Sequence, residues 1–293
     1  MEGKKADLHL HTNMSDGLLS PQELILKIKN AGITIFSVTD HDTVAALDEM
    51  KRRSDFFGLT AVPGVELSAE YENRDMHFIG YFINYHSKRF LDYLYLFRRR
   101  RFQRAQEMVI KLKKLGISIS MDRITELAGN GPIGRPHVAD AIIDTGNVSS
   151  REEAFQKYLS KDGPVYVEKY RITAQEVIDL IHSIGGAAFL AHPGLNAVDK
   201  YIPGLMEAGL DGIEIIHPKH TADQVKKLGK TAKDMSLLTT GGSDFHGEDD
   251  EENLGKFFTD EMSVDRVREY CEEHKSEWIT NEESDESVTD DED

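Results

Sequence analysis

The chain has 293 residues, with 35 Lys and Arg against 52 Asp and Glu, for a formal net charge of −17. Hydrophobic residues at 39% and charged residues at 30% fit a soluble globular chain rather than a disordered one, and no run of 18 apolar residues is present to span a bilayer. A single cysteine, Cys271, excludes an internal disulfide and any multi-cysteine zinc site, while the charge average argues at first sight against a phosphate ligand.

In chain order, the lysines at 4 and 5 run straight into Ala6-Asp7-Leu8-His9-Leu10-His11 with no apolar leader between, which predicts a protein of the reducing cytoplasm. Asp7–Leu10 reads as a strand, and Ser20-Pro21 followed by Glu23 opens a helix to about Ala31. Ile33–Thr39 is a second strand, a helix follows from about Thr43 to Phe57, and Leu59–Leu67 and Met76–Ile83 read as two more strands. From about Ser87 to Ser160 the pattern turns helical, with apolar residues at helical spacing over Phe90–Leu115. Alternation resumes with a helix from Ile172 to Ile184, a strand at Gly186–Ala191, a helix near Lys200–Ala208 and a strand at Gly212–Ile216. A helix near Thr221–Asp234, a strand at Leu237–Thr240 and a helix near Val264–Glu273 complete the series. This order predicts an α/β body, mainly parallel or barrel-like, in two parts at 1–86 and 172–281. A helical insertion at 87–171 divides it, and an acidic disordered tail occupies 282–293.

The charge is unevenly placed. Residues 248–252 carry five acids and 282–293 eight more, whereas Lys88–Arg171 holds 17 basic residues against 10 acidic ones. The insertion is therefore where an anion would be held.

Nearly every body strand ends in His, Asp or Glu. His9 and His11 close the first strand, His41 follows the second, Glu66 closes the third, and His77 lies at the start of the fourth. His192 follows the strand through Leu190, and the last strand leads into Asp244 and His246. In α/β barrels such groups converge at one end of the strands. His9-x-His11 in an extended strand places two imidazoles on one side, where they can grip a metal, and Asp244-x-His246 repeats the spacing. One such histidine alone is more often a surface or core residue. A set this large, without cysteine, points to more than one ion of Mn, Fe or Zn rather than Ca.

The segments Asp7-Leu8-His9-Leu10-His11-Thr12, Ser15-Asp16-Gly17, Thr39-Asp40-His41-Asp42, Pro63-Gly64-Val65-Glu66, Ala191-His192-Pro193 and Gly242-Ser243-Asp244-Phe245-His246 together resemble the PHP (polymerase and histidinol phosphatase) family, in its motif order. The resemblance implies a distorted (β/α)7-type barrel with a helical cap and two to three divalent ions, Mn, Fe or Zn, with Mg admissible. It assigns His9, His11, Glu66 and Asp244 to one ion, a bridging Glu66 with His77 and His192 to a second, and Asp16, His41 and His246 to a third. These nine residues would carry catalysis, with metal-bound hydroxide attacking a phosphoester, since no serine or cysteine nucleophile motif is present.

The insertion contributes Gly134-Arg135-Pro136-His137 after a glycine-rich turn, with Arg135 and His137 at a helix start suited to phosphate. This motif resembles one in a small-substrate PHP subgroup. Lys161, His217 and His220 are further candidates for substrate contact, each balanced by a surface or supporting role. The Arg98–Arg101 run, with Arg104, reads as a solvated helix face first, because four consecutive residues wrap around a helix; a nucleic-acid tract there ranks second, since its aromatic neighbours Tyr93, Tyr95, Phe97 and Phe102 fit core packing. The implied substrates are a 3′,5′-bisphosphonucleotide, released as nucleoside 5′-monophosphate and phosphate, or short 5′-phosphorylated oligonucleotides. The rival readings are a histidinol-phosphate-type phosphatase, a longer-strand exonuclease, and a non-enzymatic, metal-dependent polyanion-binding regulatory module. No membrane association and no stable protein partner is implied.

Overall fold

The computed structural model describes residues 4–170, 172–247 and 250–279. The acidic tail expected at 282–293 and residues 248–249 of the other acidic run lie outside the described residues. On β1 (Lys5–Leu10), strand alternation gives Ala6 and Leu8 to an apolar cluster with Ile35, Phe189 and Val264, and turns Asp7 and His9 the other way. Ser20 caps α1 (Pro21–Asn30) in a reciprocal capping box with Glu23, and β2 (Ile33–Val38) then pairs parallel to β1. The helix expected from Thr43 begins later, as α2 (Leu47–Phe57), leaving 43–46 as a turn beside the end of β2.

The single strand expected from Leu59 to Leu67 is two. β3 (Thr60–Ala61) pairs with β2, whereas β4 (Gly64–Tyr71) begins a second sheet. Pro63 separates them, because a proline has no N–H to give a ladder. β4 and β5 (Arg74–Tyr81) form an antiparallel hairpin around Glu72 and Asn73, both with positive φ, the geometry of a two-residue hairpin turn. The body therefore carries an antiparallel segment that strand–helix alternation did not suggest.

The second half adds α7 (Ala174–Ser183), β6 (Ala187–Leu190), β7 (Gly212–Ile216), α9 (Ala222–Asp234) and β8 (Leu238–Gly241). A 3₁₀ stretch at Leu195–Tyr201 precedes the short α8 (Ile202–Glu207). β9 (Thr259–Asp260) pairs antiparallel to β1, and α10 (Glu261–Ile279) is longer at both ends than expected. The strands form two sheets, β3-β2-β1-β9 and β4-β5-β6-β7-β8. Isolated bridges join them at both sides of the site, Leu10 with Phe245 and His41 with Glu66. The result is a distorted α/β ring whose ladder is interrupted where it carries polar side chains.

Between the halves run α3 (Lys88–Lys114), α4 (Met121–Ala128), α5 (Arg135–Asp144) and α6 (Arg151–Ala154), the last continued by a π-helical turn at Phe155–Leu159. The C-terminal half of α3 packs with α4, α5 and this turn around Met108, Leu112, Ile124, Val138 and Ile142, a cluster separate from those of the body. Its N-terminal half, through Phe90, Leu94 and Phe97, packs on the body core. One long helix thus belongs to both layers. Tyr93 and Phe97 face inward as expected, but Tyr95 and Phe102 do not: they are 68% and 37% exposed.

Candidate metal centre

All nine candidate ligands come together, although Asp16 lies in a turn and Glu66 stands near the start of β4 rather than closing a strand. Glu66, buried on β4, is the hub: its Oε2 lies 3.2 Å from His9 Nε2, 3.3 Å from His11 Nε2 and 3.2 Å from His41 Nδ1. Its Oε1 lies 3.1 Å from His77 Nδ1 and 3.2 Å from His192 Nε2. Asp244 Oδ1 is 3.3 Å from both His9 Nε2 and His11 Nε2, and Asp16 Oδ1 is 3.3 Å from His246 Nε2. His77 sits near the start of its strand and still reaches the site, because β5 runs antiparallel to β6. Its N-terminal half therefore shares an end with the C-termini of the parallel strands.

Local backbone geometry is forced to achieve this. Asp42, His192 and Asp244 all adopt positive φ, at 52°, 34° and 48°, an expensive conformation for residues with a Cβ. Gly242 carries the loop after β8 over β1, where a Cβ would stand 2.5 Å from that of His9. Asp7 fastens the same crossing by accepting from the Ser243 backbone N–H at 2.9 Å, and burial pushes its carboxyl up to about 7.

The electrostatics are those of a cluster rich in carboxylate. Burial disfavours charge on His9, but Glu214, Glu66 and Asp244 outweigh it and raise its pKa well above the ordinary value. His11 is raised to about 10 by Asp244 and Glu66 in spite of its burial. Glu66 and Asp244 are conversely held low, since the surrounding imidazoles overcome the cost of burying their charge. Burial drives His41 down to about 4, against the pull of Glu66, so its ring is a neutral donor at pH 7.

The donors fit divalent ions better than they fit one another. His11 Nε2 lies within 3.3 Å of two carboxylates, yet neither its ring nitrogens nor His41 Nδ1 makes an aligned hydrogen bond. Buried nitrogens without partners are costly, and here they converge with oxygens on common points. Among the described residues, three groups have ligand atoms within 4.8 Å of one another: His9, His11 and Asp244; His11, Asp16, His41 and His246; and His41, Glu66 and His77. His192 joins the last through its shared Glu66 oxygen. Imidazole and carboxylate without thiolate suit Mn, Fe or Zn.

Several residues that position this set were not singled out by sequence. Glu214 on β7 is fully buried, 2.9 Å from His9 Nδ1, and accepts from the His192 N–H at 2.8 Å. A lone acid inside the apolar strand Gly-Ile-Glu-Ile-Ile was the available signal. Asp40 accepts from the Thr12 N–H and from the Thr12 and Ser15 hydroxyls, holding the loop that carries Asp16. Asp42 accepts from the Ser68 N–H and from Arg101, so one arginine of the run on α3 turns inward to the body.

The substrate candidates separate. His217, buried, hydrogen-bonds Asp244 Oδ2 at 3.1 Å and so supports a strand-end carboxylate. Both ring nitrogens of His220 are used by the main chain: Nε2 accepts from the Gly194 N–H and Nδ1 donates to the Ile215 carbonyl. His220 is thus a brace between two loops and offers no free nitrogen to a ligand. Lys161 stands exposed in a turn, without a hydrogen bond or ion pair among the described residues. Arg135 and His137 open α5. Arg135 lies over the Phe155 ring at 5.3 Å and donates to the Leu159 carbonyl, while His137 Nδ1 accepts from the Gly134 N–H, leaving Nε2 as a donor. The fields of Asp16 and Arg101 both reach His137, and that of Arg135 reaches Asp75 beside His77. The loop before α5 touches the Asp16 loop directly: a Cβ at Gly131 would stand 2.2 Å from the Ser15 carbonyl oxygen.

Residues 7–200 match the family model of the PHP domain. The chain is 34% identical to a "5′-3′ exoribonuclease" of Haemophilus influenzae over 83% of its length and 90% of that protein's. It is 30% identical to a "3′,5′-nucleoside bisphosphate phosphatase" of Chromobacterium violaceum, covering 82% of this chain and 86% of the other. A solved structure of an amidohydrolase from Chromobacterium violaceum, with bound sulfate and no metal, superposes with a TM-score of 0.74 at 28% identity, over 91% of this chain and 96% of that one. No helix among the described residues is long and apolar enough to cross a membrane.

Proposed function

Because the chain belongs to the PHP domain family and is a metal-dependent phosphoesterase, we propose that it hydrolyses a small phosphorylated nucleotide, either a 3′,5′-bisphosphonucleotide or a short 5′-phosphorylated oligonucleotide. The observation that carries this reading is the nine-residue His/Asp/Glu cluster, against whose Asp16 loop the loop leading into α5 packs at Gly131. Two to three ions of Mn, Fe or Zn would be held as the sequence motifs group them, by His9, His11, Glu66 and Asp244, by Glu66, His77 and His192, and by Asp16, His41 and His246. Bound there, such ions supply Lewis acidity that brings the pKa of water towards neutrality and offsets phosphoryl charge.

The chain's own groups do the rest. Arg135 is a forked donor for a phosphate, and the N-terminal N–H groups of α5 add to its field. His137 presents Nε2–H as a second donor. His217 holds Asp244 in one orientation, and Glu214 holds the His9 ring so that Nε2 faces the cluster. Residues 87–171 act as a cap over the strand ends and favour small substrates over long strands. The names of the two relatives support the nucleotide class, and the cluster supports hydrolysis without a covalent nucleophile.

The test is a panel of phosphorylated nucleotides and short oligonucleotides assayed with added Mn, Mg or Zn, on the wild type and on Asp244→Ala and Arg135→Ala. Asp244→Ala is expected to lose metal content and activity together, and full retention of both would refute the assignment. For Arg135→Ala the expectation is a raised KM with metals retained, so an unchanged KM would remove its phosphate role. Preference for histidinol phosphate over every nucleotide would replace the substrate class.

A further inference from the structure

The outward face of α3 is unlike an ordinary solvated helix face. Leu91, Tyr95 and Phe102 are 43%, 68% and 37% exposed on it, with Arg98 and Arg99 between them. These five residues form one wall of a cleft of about 610 Å³. The 42–45 turn, with Val44 and Ala45, and the loop from Gly129 to Ile133 also line it. A volume of this size is in the range of small-molecule sites.

Asp42, the residue after His41, also lines the cleft and is buried. Among the described residues Asp42 is the only acid lining it, and Arg101 pairs with its carboxylate at 3.0 Å. Arg98 donates to the Asn130 carbonyl, and the exposed Arg99 has no ion pair or hydrogen-bond partner among the described residues. In a chain of net charge −17, a cleft that combines exposed aromatic rings with cationic side chains and is lined by the residue next in sequence to His41 has a specific chemistry. Rings stack on bases and guanidinium groups take phosphates, a combination that binds single strands without reading sequence.

We propose that this cleft is a subsite for the nucleotide on the 3′ side of the scissile phosphate in a short single-stranded oligonucleotide. The base stacks on Tyr95 and Phe102, and its outgoing phosphate meets Arg99. The inference rests on the nucleotide phosphoesterase reading above and decides between its two substrates, because a 3′,5′-bisphosphonucleotide has no base to place there.

The test compares the full-length wild type with Tyr95→Ala/Phe102→Ala and Arg99→Glu, all three on surface positions whose loss leaves the core intact. Two readouts are used. Steady-state hydrolysis is measured on a 3′,5′-bisphosphonucleotide and on a 5′-phosphorylated trinucleotide. Anisotropy of a 3′-labelled, 5′-phosphorylated trinucleotide is measured in EDTA, where no turnover occurs. We expect both variants to raise KM for the trinucleotide about tenfold and to weaken its binding in EDTA by a similar factor, with the mononucleotide constants unchanged within about twofold. Tyr95→Phe should restore trinucleotide binding, since the ring and not the hydroxyl is used. Equal effects on both substrates, or none on either, would overturn the subsite. Hydrolysis of the bisphosphonucleotide by the wild type with no binding or cleavage of the trinucleotide would overturn it while leaving the phosphoesterase reading intact. Trinucleotide binding in EDTA that the variants weaken would support the subsite even if no nucleotide on the panel were hydrolysed, which is the outcome that sinks the parent reading.

Discussion

Glu214 offers the sharpest test of how the chain prepares its donors. The carboxylate is fully buried, with one oxygen 2.9 Å from His9 Nδ1 and the other accepting from the His192 N–H at 2.8 Å. Accepting from Nδ1–H fixes that proton on the far side of the ring, so that Nε2, which faces Glu66 and Asp244, is the nitrogen that would give up its proton to a bound ion. Glu214→Gln keeps the volume but breaks this logic. If the amide oxygen still accepts from His192, the NH₂ group faces Nδ1 and drives the ring proton onto Nε2. If the amide flips, its NH₂ opposes the His192 N–H and two buried donors meet. Removing the carboxylate partner of a ligating histidine costs about 10–100-fold in metal affinity, or roughly 1.4–2.8 kcal/mol at 1.4 kcal/mol per tenfold. The measurement is a Mn titration of chelator-stripped protein by calorimetry, with activity followed over the same concentrations and Tm recorded to separate folding from binding. A Glu214→Gln protein with wild-type Kd for Mn and wild-type activity at limiting Mn would refute the argument.

Two further outcomes follow from other parts of the molecule. Gly131→Ala places a methyl group 2.2 Å from the Ser15 carbonyl oxygen, a backbone atom with little room to yield, so the cap loop and the Asp16 loop must part. Overpacking of this kind costs about 1–3 kcal/mol, and we expect a Tm lowered by a few degrees together with reduced turnover; thermal melts and kinetics showing neither would mean the two loops do not depend on each other. Cys271 is 4% exposed, and burial pushes its thiol up to about 12, against a small opposing hydrogen bond from the Ala187 backbone. Its alkylation by iodoacetamide should therefore stay slow and flat between pH 7 and 9, where a free thiol near 8.5 ionises, and become rapid in guanidinium; fast native labelling that rises with pH would contradict its burial.

Much of this protein is legible along the chain because its signals are local. Capping boxes at Ser20, Thr173 and Thr221 mark helix starts within a residue or two, and the histidine and carboxylate motifs stand at strand ends, where alternation and chain breaks reveal them. Eight of the nine metal-centre candidates stand out along the chain as His, Asp or Glu near predicted strands, and Asp16 is named only by the resemblance of Ser15-Asp16-Gly17 to a family motif. Other features depend on partners distant in sequence. The hairpin of β4 and β5 explains why His77 works from the start of a strand, and that direction is set by a turn at Glu72 and Asn73 rather than by any hydrophobic pattern. Glu214 is one acid in an apolar strand until β1 and β6 place His9 and His192 against it, and His220 is one histidine among several until its two main-chain partners occupy the ring. The arginine run shows the limit best. Helical spacing alone places Tyr93, Tyr95, Phe97 and Phe102 in one category, but α3 packs its ends on two different cores. Only that double attachment decides that Phe97 is buried, that Arg101 turns in to Asp42, and that Tyr95 and Phe102 face an open cleft. Residue types and their periodicity determine what chemistry the chain can carry; the direction and crossing of its elements decide which of those groups meet, because burial and pairing are properties of neighbours and not of spacing.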